Sequence, residues 1–459
     1  MRSAAILLAA LALLAPAGRV ASAQTSAGRE DVDAPLAFWS ELGDSTLNRL
    51  VRDAVEANPG LRAAHARARG ARADRVGAAL DLAPTVTASS SYSRQRLSSA
   101  SFPGGAGTLP DHDLWDAGVN LSWELDLFGR GRRTLQGRRA LVASADEEID
   151  DVRVLLAAEV AGAYFDLRGA QERLAVARRN ADNQAGSLEV TLERLEAGRG
   201  TGFDTERAQA QLSTTLAAIP SLEGEIVAIQ YRIAALIGRP FDELAPDLDA
   251  EVMPPELPSA PSVTSLDGVV RDRPDVRSAE RQLTARSAFV AASKADYLPR
   301  VSLSGRAGYT ASALDALGNA GTPRYAIGPV VSWPLLDVGR VKAGVDAARA
   351  DEAEAAARFE QAVLQAQAEV QTSLVAYEKA SERLSHLAEA AAASERATEL
   401  ARLRFEEGAT GFLEVLDAER TLLDAQDRLA LGRTEAAAGL IAVYRALGGR
   451  WTIPENGLE

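Results

Sequence analysis

The sequence predicts an α+β membrane protein: a trimeric, twelve-stranded transmembrane β-barrel with four strands per chain, continuous with a long α-helical barrel, each chain carrying an internal two-fold repeat. Three observations lead to this reading. A segment of two-residue alternation at 115–125 runs directly into a helical pattern that meets no proline until Pro220. The N-terminus has the make-up of an export leader, and no later stretch approaches the ~20 consecutive apolar residues that a spanning helix needs. The order of elements in the first half recurs in the second at an offset near 210 residues.

Residues 1–23 read as a signal peptide, with Arg2, an apolar run from Ala4 to Ala15, and Ala21-Ser22-Ala23 before Gln24. An exported chain without a spanning helix that resides in a membrane must do so as a barrel. The net charge of -14 argues against a nucleic-acid partner, which would call for a basic face. The absence of cysteine excludes disulfides, thiolate metal sites and a lipidated cysteine, so the chain is expected not to be lipidated. His65, His112 and His386 stand isolated, so no histidine-based metal or acid–base site is expected, and no cofactor.

The first repeat is expected over 24–238. Residues 24–57 are mixed, with an amphipathic piece from Leu47 to Val55, and a helix over 59–82 opens on Pro59 as first-turn proline. A strand over 85–97 and a second over 115–125 flank a Ser-, Gly- and Pro-rich loop. In the second strand Trp115, Ala117, Val119, Leu121, Trp123 and Leu125 make an apolar face, against Asp116, Gly118, Asn120, Ser122 and Glu124. The helix over 130–197 would reach roughly 100 Å at ~1.5 Å per residue, and such a helix needs partners along its length. Leu174, Ala181, Leu188 and Leu195 recur every seven residues, as coiled-coil packing requires. A return helix follows over 204–237, with a kink expected at Pro220.

A Pro-rich connector, 239–263, leads to the second repeat, 264–459. Here a helix over 274–297, strands over 301–310 and 324–335, and helices over 341–407 and 412–447 precede a tail, 448–459. Trp123, Gly129 and Arg130 answer Trp333, Gly339 and Arg340, and Arg194, Gly198 and Thr-Gly-Phe at 201 answer Arg404, Gly408 and Thr-Gly-Phe at 410. The second long helix carries its own heptad at Leu384, Ala391, Thr398 and Phe405. Tyr92, Trp115, Trp123, Tyr309, Tyr325 and Trp333 are expected to anchor the strands in outer-membrane lipid. Trp115 and Trp123, like Tyr325 and Trp333, are eight residues apart, which along a tilted strand spans roughly the ~25 Å between aromatic girdles.

Four strands cannot close a barrel, and open edges are not tolerated in lipid. Eight strands from two chains would enclose a side-chain-filled interior, whereas twelve from three chains leave an opening. The Ser, Thr, Asn, Arg, Asp and Glu of the polar strand faces suit a water-filled lumen, so a homotrimer is expected.

These residues also resemble a family: the TolC-like outer-membrane efflux proteins, most closely the branch serving RND pumps (OprM-like, NodT-type). The marks are FWSELGDSTLNRLVRDAVEANPGLRAA at 38–64, SWELDLFGR at 122–130, the turns RLEAGRGTGF and RFEEGATGF, LDAER at 416–420 and ALGGRW at 446–451. The resemblance implies a trimer with a twelve-strand barrel, a helical periplasmic tunnel, an equatorial belt from the connector and termini, and residence in the outer membrane of a Gram-negative bacterium. It further implies that Arg194, Leu195, Gly198, Arg404, Gly408, Thr410 and Gly411 at the two helix tips contact a periplasmic adaptor (membrane fusion) protein, itself coupled to an inner-membrane RND pump. By the same resemblance Leu413, Asp417 and Arg420, which share one helical face, form a periplasmic gate, with Glu414 and Glu419 adding negative charge that favours cations. The expected function is a passive exit duct for toxic compounds, opened by the adaptor at the tip. A duct for a type I protein secretion system stays open beside it, as does a poreless periplasmic coiled-coil scaffold. No nucleophile–histidine pair and no phosphate-binding glycine loop occurs, so no enzymatic activity is expected.

Overall fold

The computed structural model describes residues 38–98, 110–249, 255–261 and 265–451. The leader expected at 1–23, the whole of the 99–109 stretch, parts of the connector and the end of the tail lie outside the described residues. The chain divides into two compact units, one holding 69–144 and 280–357 and the other 145–279 and 358–451 together with the segment before Arg69.

The first unit is built on a sheet in the order β1 (Thr85–Gln95), β2 (His112–Leu125), β3 (Arg300–Ala311), β4 (Pro323–Ser332), antiparallel throughout. The register aligns residues of one parity on each face. Asp116 lies between Ser91 and Thr310, Asn120 between Thr87 and Arg306, and Ser122 between Thr85 and Ser304. The opposite face carries Val86, Tyr92, Trp115, Val119, Leu121, Leu303, Tyr309, Tyr325 and Ile327, with the Tyr92 and Trp115 rings 4.5 Å apart. One face is therefore polar along most of β1, β2 and β3, and at Arg324 and Ser332 of β4, and the other is mainly apolar, the arrangement of a wall between lipid and water.

The strand ends differ from the alternation pattern. β2 begins at His112 because Asp113 and Leu114 pair with Arg94 and Ser93, although His-Asp-Leu does not alternate. β1 stops at Gln95, beyond which Arg96 pairs with Asp111 instead (2.5 Å). β4 stops at Ser332 rather than 335: Pro334 has no N–H to donate, and Leu335 N–H turns back to the Trp333 carbonyl (2.9 Å). Trp333 is thus off the strand, its indole N–H donating to the Tyr297 carbonyl (3.1 Å). Trp123, its counterpart in the first repeat, docks alike on the Leu82 carbonyl (2.9 Å).

Helices α1 (Ser45–Ala57), α2 (Pro59–Leu80) and α3 (Arg130–Glu196) precede α4 (Gly202–Ile237), α5 (Phe241–Leu248), α6 (Leu266–Asp272) and α7 (Pro274–Lys294). α8 (Val338–Glu406) and α9 (Phe412–Ala446) complete the chain. α7 gives way to a 3₁₀ turn over Ala295–Tyr297, short of the expected helix end. The connector is not merely a link, for Pro240 precedes α5 and turns it so that Leu244 and Leu248 enter the core. α4 stays helical through Pro220 and, unlike the expectation that no later segment could, meets the length and composition of a spanning helix. It is nonetheless a packed return helix, with Leu222 against Leu174 and Ala177 of α3.

The core of the second unit gathers both ends of the described chain. Phe38 stacks on Trp451 (4.8 Å) and Trp39 tilts onto Tyr444 (4.6 Å). Asp44 caps α1 at Thr46 and Leu47 N–H and accepts the Tyr164 hydroxyl at 2.5 Å. The Gly-Gly of the ALGGRW mark is required here, since Gly448 and Gly449 have φ of +66° and +73° and a Cβ on Gly449 would meet Val154 Cγ2 at 2.8 Å. Of the heptad residues, Leu174, Ala181, Ala391, Thr398 and Phe405 are buried, whereas Leu195 at the tip is exposed.

At the α6–α7 junction buried Arg273 binds Asp275 (2.7 Å), Glu369 (2.8 Å) and the Ala446 carbonyl (3.1 Å). Burial, with Asp275 close by, pushes Asp151 up to about 6 despite Arg273 and Arg445. A carboxyl whose pKa is raised by folding stabilises the fold below its unfolded pKa and loses that contribution as pH rises through 6. Asp151→Asn is therefore expected to raise the melting temperature at pH 8, in keeping with a penalty of about 3 kcal/mol, and to leave it unchanged at pH 4. Equal melting of both proteins at pH 8 contradicts this.

Candidate functional site

The two hairpin tips reverse the chain by one recipe. Gly198 N–H donates to the Leu195 carbonyl (3.0 Å) and Arg199 N–H to that of Arg194 (2.8 Å). Gly408 donates to Phe405 (2.9 Å) and Ala409 to Arg404 (2.8 Å). Gly198 and Gly408 have φ of +67° and +75°, which a side chain would strain. The 210-residue offset is thus kept through both turns, which corrects the alignment of the two Thr-Gly-Phe motifs. Phe412 answers Gly202, and the residue answering Phe203 is Leu413.

Phe203 and Leu413 are both exposed, at 65% and 57%, whereas Phe412 is buried against Phe405. Motif matching missed Phe203; counting 210 back from Leu413 finds it. Its ring carries the Arg207 guanidinium 4.5 Å from the centroid.

The tips differ in their caps. Thr201 accepts the Asp204 N–H and starts α4, while Gly411 at the head of α9 offers no side-chain cap. Arg194 reaches across to the end of α8, stacking on Phe405 (3.9 Å) and donating to the Phe405 and Glu406 carbonyls. It thereby satisfies carbonyls that a helix end leaves without partners. Arg404, its counterpart, is exposed and makes no such bond. Of the residues expected at the tip, Leu195, Gly198, Arg404, Gly408 and Gly411 are exposed, Thr410 is half-buried, and Arg194 is engaged within the chain.

Leu413, Asp417 and Arg420 lie on the exposed side of α9, opposite buried Phe412, Val415, Leu416 and Leu422. Among the described residues neither Asp417 nor Arg420 forms a side-chain ion pair. Glu419 departs from the expectation that it adds charge beside them. It is 2% exposed, bound to Arg402 at 2.9 Å and accepting the Ser187 hydroxyl at 2.6 Å. Its charge is neutralised inside the α3–α8–α9 packing because the residue two past Asp417 falls on the other side of the helix.

Among the described residues no group of three His, Asp or Glu could hold a metal ion. A cavity of about 440 Å³ is lined by Arg168 and Glu172 of α3, residues 255–257, and Arg433 and Thr434 of α9. On its polar wall Arg433 donates to Glu172 Oε1, while Glu172 Oε2 is buried and accepts no hydrogen bond among the described residues.

A sequence model of the family described as outer membrane efflux protein matches residues 50–239 and 268–449. The pyoverdine export outer membrane protein OpmQ of Pseudomonas aeruginosa is 31% identical, over 94% of this chain and 91% of that protein. Nodulation protein T of Rhizobium leguminosarum bv. viciae is 27% identical, over 94% of this chain and 87% of its own. The solved structure of the outer-membrane channel OprN superposes with a TM-score of 0.85 at 39% identity, covering 90% of this chain and 92% of that one.

Arg194→Ala is expected to speed amide exchange at residues 404–409 about tenfold or more, since hydrogen bonds from a charged group contribute ~1.5–3 kcal/mol. Arg404→Ala should leave that exchange unchanged, and identical protection in both variants would count against the asymmetry.

Proposed function

The chain belongs to the outer membrane efflux protein family, and from that premise we propose that three copies form the exit duct of a tripartite RND-type pump. The observation that carries this is the four-stranded sheet, polar on one face and apolar on the other, with β1 and β4 both left at open edges. In hydrocarbon an unpaired strand edge exposes backbone groups that nothing satisfies. Pairing β1 of one copy with β4 of the next removes every edge, and three copies give twelve strands around a water-filled lumen.

The exposed apolar side chains of α4 and α8, among them Leu216, Val227, Tyr231, Leu364, Val375, Leu400 and Leu403, then meet the neighbouring copies. The tips carry Gly198 and Gly408, and they face a periplasmic adaptor through Leu195, Phe203, Arg404, Thr410 and Gly411. Leu413, Asp417 and Arg420 close the periplasmic mouth as a three-fold ring, in which Asp417 of one copy pairs with Arg420 of the next. The adaptor opens the mouth by competing for those pairs, and the pump supplies the energy.

Two measurements test this. Crosslinking in mild detergent should stop at the trimer, and a limit at the dimer would contradict it. In planar bilayers Asp417→Ala and Arg420→Ala should each raise single-channel conductance by about two-fold or more, as loss of a charged constriction does. Unchanged conductance in both variants would remove the gate from this face.

A further inference from the structure

The polar face of the sheet carries more charge than its pairs consume. Glu124 is bound by Arg130 (2.9 Å) and Arg300 by Asp296 (2.7 Å). Arg324 on β4 grips Asp116 on β2, two strands away, through two bonds, one of them 2.7 Å from Nε to Oδ2. The Thr310 hydroxyl donates to the same carboxylate at 2.7 Å.

That long reach depends on glycine. The residue directly opposite Arg324 on β3 is Gly308, and opposite Gly308 on β2 is Gly118. A Cβ on Gly308 would lie 2.3 Å from the Ala117 carbonyl oxygen, and one on Gly118 would lie 2.5 Å from that of Ala307. The two strands approach too closely for side chains there, and the Arg324 guanidinium lies across the bare backbone to reach Asp116. It is held flat against the wall with its charge matched.

Arg306 sits one step along the same face, between Asn120 on β2 and Ala326 on β4. It is exposed, and among the described residues it makes no hydrogen bond or ion pair. Neither neighbour bears a charge. Among the described residues it is the one formal charge on the polar face of the four strands without an ion pair of its own: the Asp116 carboxylate acts on it through space but is bonded by Arg324.

We propose that Arg306 is a selectivity determinant of the barrel: in the trimer three copies form a cationic ring at mid-strand, which favours anionic over cationic solutes, while the Asp116 clamp keeps Arg324 from adding a second ring. This rests on the trimeric pore reading. A ring of arginines in an aqueous lumen raises the local concentration of anions and opposes cations.

The test is the reversal potential of the purified full chain in a planar bilayer across a potassium chloride gradient, with wild type, Arg306→Ala and Arg306→Glu. The chloride-to-potassium permeability ratio should fall by about two-fold or more in Arg306→Ala and further in Arg306→Glu. The difference should shrink between 0.1 M and 1 M salt, as the screening length falls from ~10 Å to ~3 Å. In Asp116→Asn, which releases Arg324, the ratio should rise above wild type. Channels with one ratio across wild type and both Arg306 variants at 0.1 M overturn the assignment of Arg306 alone. A wild-type chain that forms no channels overturns the pore reading, and this proposal falls with it.

Discussion

The structure depends on one constraint: backbone hydrogen bonds at a sheet edge cannot be left unmade in hydrocarbon. A four-stranded sheet with β1 and β4 at its margins is stable in lipid only as part of something larger. Much else in the chain follows from that. The two hairpins of the duplication lie side by side in one sheet, with β2 of the first paired to β3 of the second, so the two repeats form a single surface. The parity of the register then assigns every side chain to lipid or to water at once, because a slip of one residue would invert both faces. Trp123 and Trp333 fix the same boundary from the helical side, each tied to a backbone carbonyl just before its hairpin begins.

Below the strands the problem changes, since long helices surrounded by water need apolar seams rather than closed edges. The heptads supply them along the later part of α3 and α8: in α8 the seam stays buried through Phe405, whereas in α3 it ends exposed at Leu195, and a polar contact is added to the packing nearby. Glu419, with Arg402 and Ser187, knits α9 to its two neighbours within one turn of Asp417. A buried ion pair of this kind adds little net stability compared with apolar packing, yet it is costly to separate. It therefore fixes the register of the helix face that carries Leu413, Asp417 and Arg420.

Much of this was legible in the residues. Two-residue alternation located all four strands, the 210-residue offset revealed the duplication, and glycines with nothing else to explain them marked the tips. What periodicity did not convey is where a pattern stops. Trp333 continues the alternation of β4 but leaves the strand because Pro334 cannot donate, and His112 begins β2 on backbone pairing that side-chain polarity does not report. Nor does a charge on a helix announce its side: Glu419 and Asp417 are two residues apart and share a motif, yet one is buried and the other exposed. The alignment of Thr-Gly-Phe with itself misled because three matching letters outweighed a one-residue shift that the turn geometry forbids.

That shift bears on how the duct works. With the register held at 210, the tips are matched in backbone and unlike in their fastenings. The first hairpin has a capped return helix, and its Arg194 also fastens the end of α8 in the second. The second has Gly411 at the head of α9, no side-chain cap, and a free Arg404 where the first has its clasp. Glycine at the cap position costs only on the order of a few tenths of a kcal/mol relative to threonine, and the first turns of α9 are held besides by Phe412, Val415 and Leu416, which are buried. The face proposed as the gate, Leu413, Asp417 and Arg420, begins on the first of those turns. The duplication supplies two turns of one backbone recipe, and its divergence sets how each is fastened.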